Sequence, residues 1–370
     1  MPPATYSPNQ WAHLNSLSLG KHYSTMVNQH DLSEKKLRVW AKDHLAAIEP
    51  NQDIQIKRIE GGQSNPTFLI TQDLFQCILR RKPIGELLPS AHAIDREYRV
   101  IEALYQADFP VPQVYAYCKD PSIIGSEFYV MEFVDGRIFW DPRLPDLDPS
   151  ERLDIFDQMN LTISKLHQIP PDSIGLGDYG RRGGYVQRQL ERWSKQYMAS
   201  QTEPIDAMHH LIEWLPKHIP INDPTSIVHG DFRIDNMIFH PKQSQVLAVL
   251  DWELSTLGNP ISDFAYHMMA WRFPPELFRG LHGINFEEQQ IPDEQSYLDS
   301  YLKRTGFKLN SDQEWEFYIV FNMFRMAAIL QGVAHRAIQG NAASQQAIEM
   351  GKKARPIAEL AWLQVQKLKE

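Results

Sequence analysis

The stretch His229-Gly230-Asp231-Phe232-Arg233-Ile234-Asp235-Asn236 follows the short apolar run Ile227-Val228. A second polar stretch, Asp251-Trp252-Glu253, closes the apolar run formed by residues 246–250. Turn-forming residues that end short runs of β-branched and aliphatic side chains are typical of strand-to-loop junctions. We therefore expect two acidic side chains and one amide to lie in loops that adjoin strands.

Asp231, Asn236 and Asp251 carry the chemical groups that phosphoryl transfer from a nucleotide requires. That reaction needs a carboxylate to orient the attacking hydroxyl and oxygen ligands for the Mg²⁺ that bridges the phosphates. Mg²⁺ keeps several waters, so one carboxylate and one amide from the protein suffice. We predict Asp231 as the catalytic base and Asn236 and Asp251 as metal ligands. The alternative uses of the three residues, a turn, a cap and a strand end, do not account for their combined order and context.

The spacing of Asp231 and Asn236 matches the H-R-D-x-x-x-x-N loop of protein kinases, with Gly230 in place of the arginine. The pattern H-G-D-x-x-x-x-N, followed by a strand and D-W-E, resembles the aminoglycoside phosphotransferase family of kinase-like enzymes. This resemblance implies a two-lobed α+β fold of the protein-kinase type, with a small β-rich N-lobe and a larger, mainly helical C-lobe. It also implies a phosphotransferase that uses ATP or GTP with Mg²⁺ and phosphorylates a hydroxyl of a small molecule.

A closer resemblance is to the kinase-type domains related to acyl-CoA dehydrogenase family members 10 and 11. It is carried by Leu79-Arg80, Ser90-Ala91-His92, Arg96-Glu97-Tyr98, Tyr185 and Trp193. These relatives imply phosphorylation of a hydroxyl on a hydroxyacyl thioester or a related hydroxyacid. An aminoglycoside or choline-type kinase is the nearest alternative, and a nucleotide-binding pseudokinase or scaffold module is the alternative of another class.

The chain of 370 residues is longer than one hydrophobic core usually serves, which favours two unequal lobes. We divide it into an N-terminal extension (1–30), a nucleotide-binding N-lobe (31–134) and a C-lobe (135–370) that carries the catalytic loop and the substrate site. Three strands, a helix and two further strands are predicted for the N-lobe. Helices dominate the remainder, and the predicted strand segments there are Ile227-Val228, Met237-Ile238-Phe239 and residues 246–250.

His229 is included with Asp231 among the candidate catalytic residues. Between its two possible roles, a scaffold whose imidazole bonds to loop backbone is favoured over direct acid–base work. Asp235 is interpreted as a loop or cap residue. For Asp263 two interpretations stay open: the family resemblance implies that it braces the catalytic loop, and its position in the first turn of a helix suits a carboxylate in any case.

A turn that contains Gly61, Gly62, Ser64 and Asn65 is a candidate phosphate-binding hairpin. Glycines expose backbone N–H groups to a phosphate, although an ordinary turn uses the same residues. The segment lacks the G-x-G-x-x-G and Walker patterns, so its place before a strand and a helix is what favours nucleotide contact. Farther along, Glu132 and Val134 lie in a strand-to-linker segment whose backbone is a candidate for binding the nucleotide base, although the apolar residues of this segment would equally suit a core.

Kinases place a cation on the third strand and pair it with a glutamate on the next helix. Arg80 aligns best with that cation, in place of the usual lysine, and Lys82 on the same strand face is the other candidate. Glu97 shares a helical face with apolar residues, so we expect it to point inward and to pair with the cation. The alternative is a solvated Glu97 beside Arg96 and Arg99.

A basic cluster surrounds Tyr185, Trp193 and Tyr197; it consists of Arg181, Arg182, Arg188, Arg192 and Lys195. It suits an anionic, CoA-like substrate, but a solvated basic helix face is the favoured interpretation, since Val186, Leu190, Trp193 and Tyr197 form a separate apolar stripe.

The net charge of −9 argues against nucleic acid or an anionic membrane as the main partner. Only Cys77 and Cys118 are present, without zinc-ligand spacing, which fits a reducing compartment. No export signal is evident at the N-terminus, and the apolar stretch 318–330 is interrupted by Asn322 and Arg325. We therefore expect a cytoplasmic protein.

Overall fold

The computed structural model describes residues 32–49, 51–59, 65–84, 93–338 and 345–368. The α-helices, in chain order, are α1 (Glu34–His44), α2 (Ile94–Gln106), α3 (Pro121–Ile124), α4 (Pro149–Gln168), α5 (Tyr185–Ser200), α6 (Asp206–Trp214), α7 (Pro260–Met268), α8 (Pro275–Phe278), α9 (Phe286–Gln289), α10 (Glu294–Thr305), α11 (Asp312–Ile338), α12 (Gln345–Gly351) and α13 (Ala354–Lys367). The strands are β1 (Gln55–Ile59), β2 (Thr67–Gln72), β3 (Phe75–Arg81), β4 (Val114–Cys118), β5 (Phe128–Glu132), β6 (Ser226–Val228), β7 (Met237–Phe239), β8 (Val246–Val249) and β9 (Thr256–Gly258).

The chain forms two compact units. Unit 1 takes in the described residues of 1–138 together with the segment 236–253, and unit 2 takes in those of 139–235 and 254–370. The predicted N-lobe, 31–134, lies within unit 1, and the structure adds the segment 236–253 to that unit. The chain passes from unit 2 to unit 1 after residue 235, so Asp231 belongs to unit 2 and Asn236 belongs to unit 1.

Unit 1 is built on a five-stranded antiparallel sheet in the order β1-β2-β3-β5-β4. Helix α1 begins after the N-cap Ser33 and buries Leu37, Trp40 and Ala41. This apolar stripe joins a core with Leu79 and other residues of the sheet. Since side chains alternate along a strand, Arg80 projects from β3 on the face opposite Leu79.

The antiparallel hairpin β7–β8 completes unit 1. Met237 lies opposite Val249, and the backbone N–H of Val249 donates to the carbonyl of Pro110 at 2.8 Å. The backbone of Arg137 exchanges two hydrogen bonds of 2.8 Å with that of Phe239. These contacts attach the hairpin to the sheet-bearing unit, although it lies more than 100 residues later in the sequence.

The long helix α11 is the centre of unit 2, and α5, α7, α12 and α13 pack against it. Among the described helices, α11 alone has the length and the apolar composition that a membrane-spanning helix needs. However, 83% of its apolar window is buried inside the protein, as in the core helix of a globular protein. Its buried polar residues Asn322 and Arg325 donate hydrogen bonds within unit 2.

Aromatic side chains from α7 and α10 fill the core beside α11. Phe264 stacks on Tyr301 with ring centroids 3.8 Å apart, and the ring of His267 is hydrogen-bonded to the hydroxyl of Tyr297 at 3.0 Å. Burial lowers the pKa of His267 from its ordinary value of 6.5 to about 4. The imidazole is therefore neutral in the folded protein at physiological pH.

This depressed pKa makes the stability of unit 2 sensitive to acid. The unfolded chain takes up a proton on His267 below about pH 6.5, whereas the folded chain resists it until about pH 4, so stability is lost as the pH falls through this range. Between pH 7 and pH 5, we expect this residue to lower the free energy of unfolding by about 2 kcal/mol. Urea unfolding of wild type and His267→Gln at both pH values measures the difference; equal pH dependence in the two proteins would contradict it.

Candidate active site

The loop that follows β6 is held by the carboxylate of Asp263, which lies in the first turn of α7. Its two oxygens accept the backbone N–H groups of His229 and Gly230, each at 2.8 Å. Gly230 has φ of +85°, a conformation that glycine adopts without strain. The two interpretations of Asp263, a loop brace and a helix-end carboxylate, are therefore compatible in one side chain.

Asp263 is 4% exposed, yet it retains its negative charge. Burial alone would raise the pKa of its carboxyl, but the hydrogen bond from His167 at 3.2 Å, the charge of that ring and the bond from His229 lower it below the ordinary value. An ionised carboxylate offers acceptors on both oxygens. The backbone of the loop is consequently fixed by hydrogen bonds to a charged group, which are the stronger kind.

His229 is fully buried, and its ring nitrogen Nδ1 accepts the backbone N–H of Asp231 at 3.2 Å. The imidazole thus bonds to the loop backbone, as the favoured scaffold interpretation expects. In this geometry His229 positions Asp231 through the main chain.

Asp231 has a side chain that is 20% exposed. Its oxygen Oδ1 accepts the hydroxyl of Tyr266 at 2.6 Å and lies 3.3 Å from Nε of Arg233. Sequence reasoning did not identify Tyr266. The available signal was its position three residues after Asp263, which places both side chains on one face of α7.

Asn236 and Asp251 lie at the same end of the β7–β8 hairpin in unit 1. The backbone N–H of Leu250 donates to the carbonyl of Asn236 at 2.8 Å, so the residue after Leu250 is brought beside Asn236. Asp251 has φ of +66°, an uncommon conformation for a residue other than glycine. A carboxylate and an amide oxygen form a hard donor set that suits Mg²⁺. Among the described residues no cluster of three or more His, Cys, Asp or Glu side chains could hold a metal, so further ligands would come from phosphates and water.

Arg80 connects this end of the hairpin to helix α2. Its guanidinium lies 3.0 Å from the carboxylate of Glu97, 3.1 Å from that of Asp251 and 3.7 Å from that of Glu253. Although burial would lower the pKa of Arg80, the nearby carboxylates raise it, so the guanidinium stays protonated. Glu97 is 2% exposed and points inward, as predicted. Arg80, not Lys82, is therefore the strand cation that pairs with the helix glutamate.

Of the remaining residues predicted to bind the nucleotide, the structure describes Asn65, Glu132 and Val134. Gly61, Gly62 and Ser64 lie outside the described residues. Asn65 is buried, and its amide donates to Glu97 at 3.4 Å, beside the Arg80 pair. Glu132 ends β5, where its carboxylate accepts the backbone N–H of Gln113 at 3.1 Å, and Val134 follows two residues later.

Comparison with known proteins identifies the family. The model of the phosphotransferase enzyme family, named APH, matches residues 55–294. The chain belongs to the phosphotransferase enzyme family. The crystal structure of a Ralstonia eutropha protein provisionally described as an aminoglycoside phosphotransferase shares 48% identity with it, at a TM-score of 0.83, and the match covers 90% of this chain and 98% of that one.

Curated relatives extend the comparison. The chain is 44% identical to acyl-CoA dehydrogenase family member 10 of Mus musculus, over 91% of this chain and 31% of the relative. It is 41% identical to human acyl-CoA dehydrogenase family member 11, over 90% of this chain and 43% of the relative. The phosphotransferase thus spans less than half the length of these curated relatives.

Choline kinase of Cryptosporidium parvum shares the fold at 12% identity and a TM-score of 0.60, with 91% of this chain and 96% of that one covered. These comparisons, together with the sheet-bearing and helical units, confirm the predicted two-lobed α+β kinase-like fold. They also confirm that the protein is a small-molecule phosphotransferase.

Unit 2 of this phosphotransferase contains a pocket that opens to solvent. Its walls are largely apolar and include Phe156, Met159, Trp271, Phe273, Leu281 and Met326. Tyr266, the hydrogen-bond partner of Asp231, also lines it. One lining residue, Asp235, carries a carboxylate. This carboxylate is paired with Arg233 at 3.2 Å and with Arg279 at 2.6 Å. The pocket is therefore apolar, with two arginines on its wall.

The basic cluster lies on α5 and the loop before it. The predicted apolar stripe is confirmed, because Val186, Leu190, Trp193 and Tyr197 are all buried. Arg188 donates to the backbone carbonyls of Gly183 and Arg181, and Arg182 pairs with Asp172 at 2.6 Å. Arg192 lies over the ring of Trp193, 5.1 Å from its centroid. These local partners agree with the favoured interpretation of a solvated basic face.

The loop geometry predicts a specific effect of Gly230→Ala. A Cβ at this position would lie 2.9 Å from the carbonyl oxygen of Leu254, in addition to the cost of about 1–2 kcal/mol for the left-handed conformation. We expect lower stability and a fall in turnover of about tenfold or more, because Asp231 is the next residue. Thermal unfolding and phosphoryl-transfer assays measure both.

Gly175→Ala is the matched control. Gly175 has φ of +72°, and a Cβ there would meet nothing within 4 Å. This variant carries the conformational cost alone, so its stability falls while its turnover stays at the wild-type level. Equal turnover for the two variants would contradict the constraint at Gly230.

Proposed function

We propose that this phosphotransferase moves the γ-phosphoryl group of a Mg-nucleotide, ATP in the first place, to a hydroxyl of a hydroxyacid or hydroxyacyl-CoA. The observation that carries the nucleotide half of the proposal is the position of Arg80 between Glu97 and Asp251. Kinases fix nucleotide phosphates with a strand lysine that is paired with a helix glutamate. Here the buried guanidinium of Arg80, paired with Glu97, takes the place of that lysine. Asp251 is thereby oriented by a cation in the part of unit 1 that would receive the nucleotide.

In the proposed reaction, the acceptor hydroxyl oxygen forms a bond to the γ-phosphorus while the bond from that phosphorus to the β,γ-bridging oxygen breaks. The hydroxyl proton passes to the carboxylate of Asp231, and the nucleoside diphosphate leaves. Asn236 and Asp251 would hold Mg²⁺, which supplies charge neutralisation on the phosphates when it is bound. Asp263 and His229 act on the backbone and keep Asp231 in position.

The pocket in unit 2 supports the choice of acceptor. Its apolar walls suit a hydrocarbon chain, and Arg233 and Arg279 supply positive charge for a carboxylate or another anion. The names of the curated relatives, acyl-CoA dehydrogenase family members 10 and 11, point to thioesters of the same kind. The pocket lining and the names of the relatives therefore both favour an acceptor that has an apolar chain and a negative charge.

An aminoglycoside or choline-type kinase is less well supported. Cationic acceptors favour acidic pockets, whereas the carboxylate of Asp235 on this pocket wall is already paired with two arginines. A pseudokinase module is disfavoured as well, because Asp231, Asn236 and Asp251 retain the groups that phosphoryl transfer uses.

A turnover screen tests the proposed function. Purified protein is given Mg-ATP or Mg-GTP with hydroxyacids, hydroxyacyl-CoAs, amino alcohols and aminoglycosides, and nucleoside diphosphate release is measured. We expect turnover with hydroxyacids or hydroxyacyl-CoAs, and a loss of about 10²–10⁴ in kcat for Asp231→Ala. Asp172→Ala, which removes an exposed aspartate of unit 2, is the control and retains activity. Preferred turnover of aminoglycosides, or an active Asp231→Ala, would contradict the proposal.

The charge of the pocket gives a second prediction. Arg279→Gln removes a cation that is 47% exposed and adjoins the apolar walls, so the KM of an anionic acceptor rises about tenfold while the KM of ATP stays unchanged. Arg355→Gln is the matched control, since Arg355 is 40% exposed and also paired with a carboxylate, that of Glu203, away from the pocket. Steady-state kinetics with both variants measure the effect; an unchanged acceptor KM in Arg279→Gln would exclude this residue from acceptor binding.

A further inference from the structure

Tyr266 occupies a central position between the proposed base and a buried cation. It is 6% exposed, and its hydroxyl donates to Oδ1 of Asp231 at 2.6 Å. The guanidinium of Arg325, from α11, lies over its ring at 5.0 Å from the centroid. Arg325 thus restrains the ring of Tyr266, and the hydrogen bond to Asp231 restrains its hydroxyl.

Arg325 is 6% exposed, and in the part of the chain that the structure describes no carboxylate lies within ion-pair distance of it. Its Nη2 donates to the carbonyl of Gly230 at 2.8 Å, and its Nε is buried without a hydrogen-bond partner among the described residues. Burial of a cation without a counterion is costly, and an apolar residue would fill a core helix at lower cost. The contacts of Arg325 with the carbonyl of Gly230 and the ring of Tyr266 offset part of this cost.

We propose that Tyr266 is the positioning residue of the catalytic base and that Arg325 holds both Tyr266 and the Gly230 carbonyl in place. The inference rests on the proposed function, because it takes Asp231 as the base. The backbone of the loop is fixed by Asp263 and His229, whereas the side chain of Asp231 is fixed by Tyr266. The hydroxyl of Tyr266 restricts rotation of the carboxylate and directs it toward the acceptor.

The hydrogen bond also acts on the charge of Asp231. Burial and the negative charge of Asp231 raise the pKa of Tyr266, so the phenol remains a donor throughout the working pH range. A donor to a carboxylate favours its ionised form, and Tyr266→Phe removes that donor. Among the described residues, the charged and titratable groups near Asp231 include Arg233 and His229 in the loop, and Asp235, which is paired with Arg233. They also include Asp263 and Tyr266 on α7 and Arg325 on α11. All but Tyr266 remain in the variant.

Tyr266→Phe therefore has two expected effects on phosphoryl transfer. The acid limb of the pH profile of kcat/KM moves to higher pH, because the variant lacks the hydroxyl that donates to the carboxylate. The kcat at the optimum falls about 10–100-fold while the KM for ATP is unchanged, because the base is less well oriented. An acid limb at the wild-type pH would overturn the proposal.

Tyr297→Phe is the matched control. Tyr297 is buried in the same unit and loses a hydroxyl bonded to His267, without contact to Asp231. If the role of Tyr266 were only to fill the core, both variants would lose stability and neither would shift the acid limb. The shift, absent from Tyr297→Phe, separates positioning from packing.

Arg325→Met tests the second half of the proposal. Alone it lowers kcat and moves the acid limb in the same direction as Tyr266→Phe. Combined with Tyr266→Phe it adds little further shift, because both substitutions release the same carboxylate. Full additivity would show that Arg325 does not act through Tyr266.

The failures of the two proposals are distinguishable. An active Asp231→Ala refutes the proposed base and with it the inference. An inactive Asp231→Ala combined with a wild-type pH profile for Tyr266→Phe leaves the proposed function intact and refutes the positioning role alone. Circular dichroism and thermal unfolding of each variant establish that it is folded before the profile is measured.

Discussion

The hydrogen bonds from the carboxylate of Asp263 to two backbone N–H groups are the constraint on which the catalytic loop depends. They fix the main chain at His229 and Gly230, so the direction in which the chain leaves β6 is set before any ligand binds. His167 keeps this buried carboxylate charged. Asp231 is the next residue after this anchored turn, so its backbone position depends on these hydrogen bonds.

Buried charge recurs in both units, with a different partner in each. In unit 1, Arg80 is balanced by the carboxylates of Glu97 and Asp251, which are suited to a site that receives a metal and phosphates. In unit 2, Arg325 is surrounded by aromatic rings and a backbone carbonyl. The first arrangement pairs a cation with Glu97 and with Asp251, a proposed metal ligand. The second places a cation where it restrains a side chain. In each unit these contacts explain why a buried arginine is retained, although burying its charge is costly.

The sequence predicted those parts of the structure that have local signals. Asp231, Asn236 and Asp251 stand at turns that end apolar runs. The pairing of Glu97 with Arg80 was predicted from the kinase pattern, and helix periodicity added that Glu97 points inward. Tyr266 and Arg325 reach the loop from 35 and 95 residues away. The spacing of Tyr266 from Asp263 is a signal for the first contact, and no local pattern indicates the second. Strand β9 has three residues, too few for periodicity, and exists through its pairing with β6. Helix α13 contains Pro356, a helix-breaking signal that is tolerated because it lies in the first turn.

The central claim is that the protein transfers a phosphoryl group to an acceptor hydroxyl. Its most direct test is mass spectrometry of the acceptor after incubation with Mg-ATP whose γ-phosphate carries ¹⁸O on its non-bridging oxygens. The account predicts a hydroxyacid or hydroxyacyl-CoA phosphate ester that contains the three labelled oxygens together with the unlabelled hydroxyl oxygen of the acceptor. Labelled inorganic phosphate with an unmodified acceptor, across the whole set of hydroxy compounds, would contradict it.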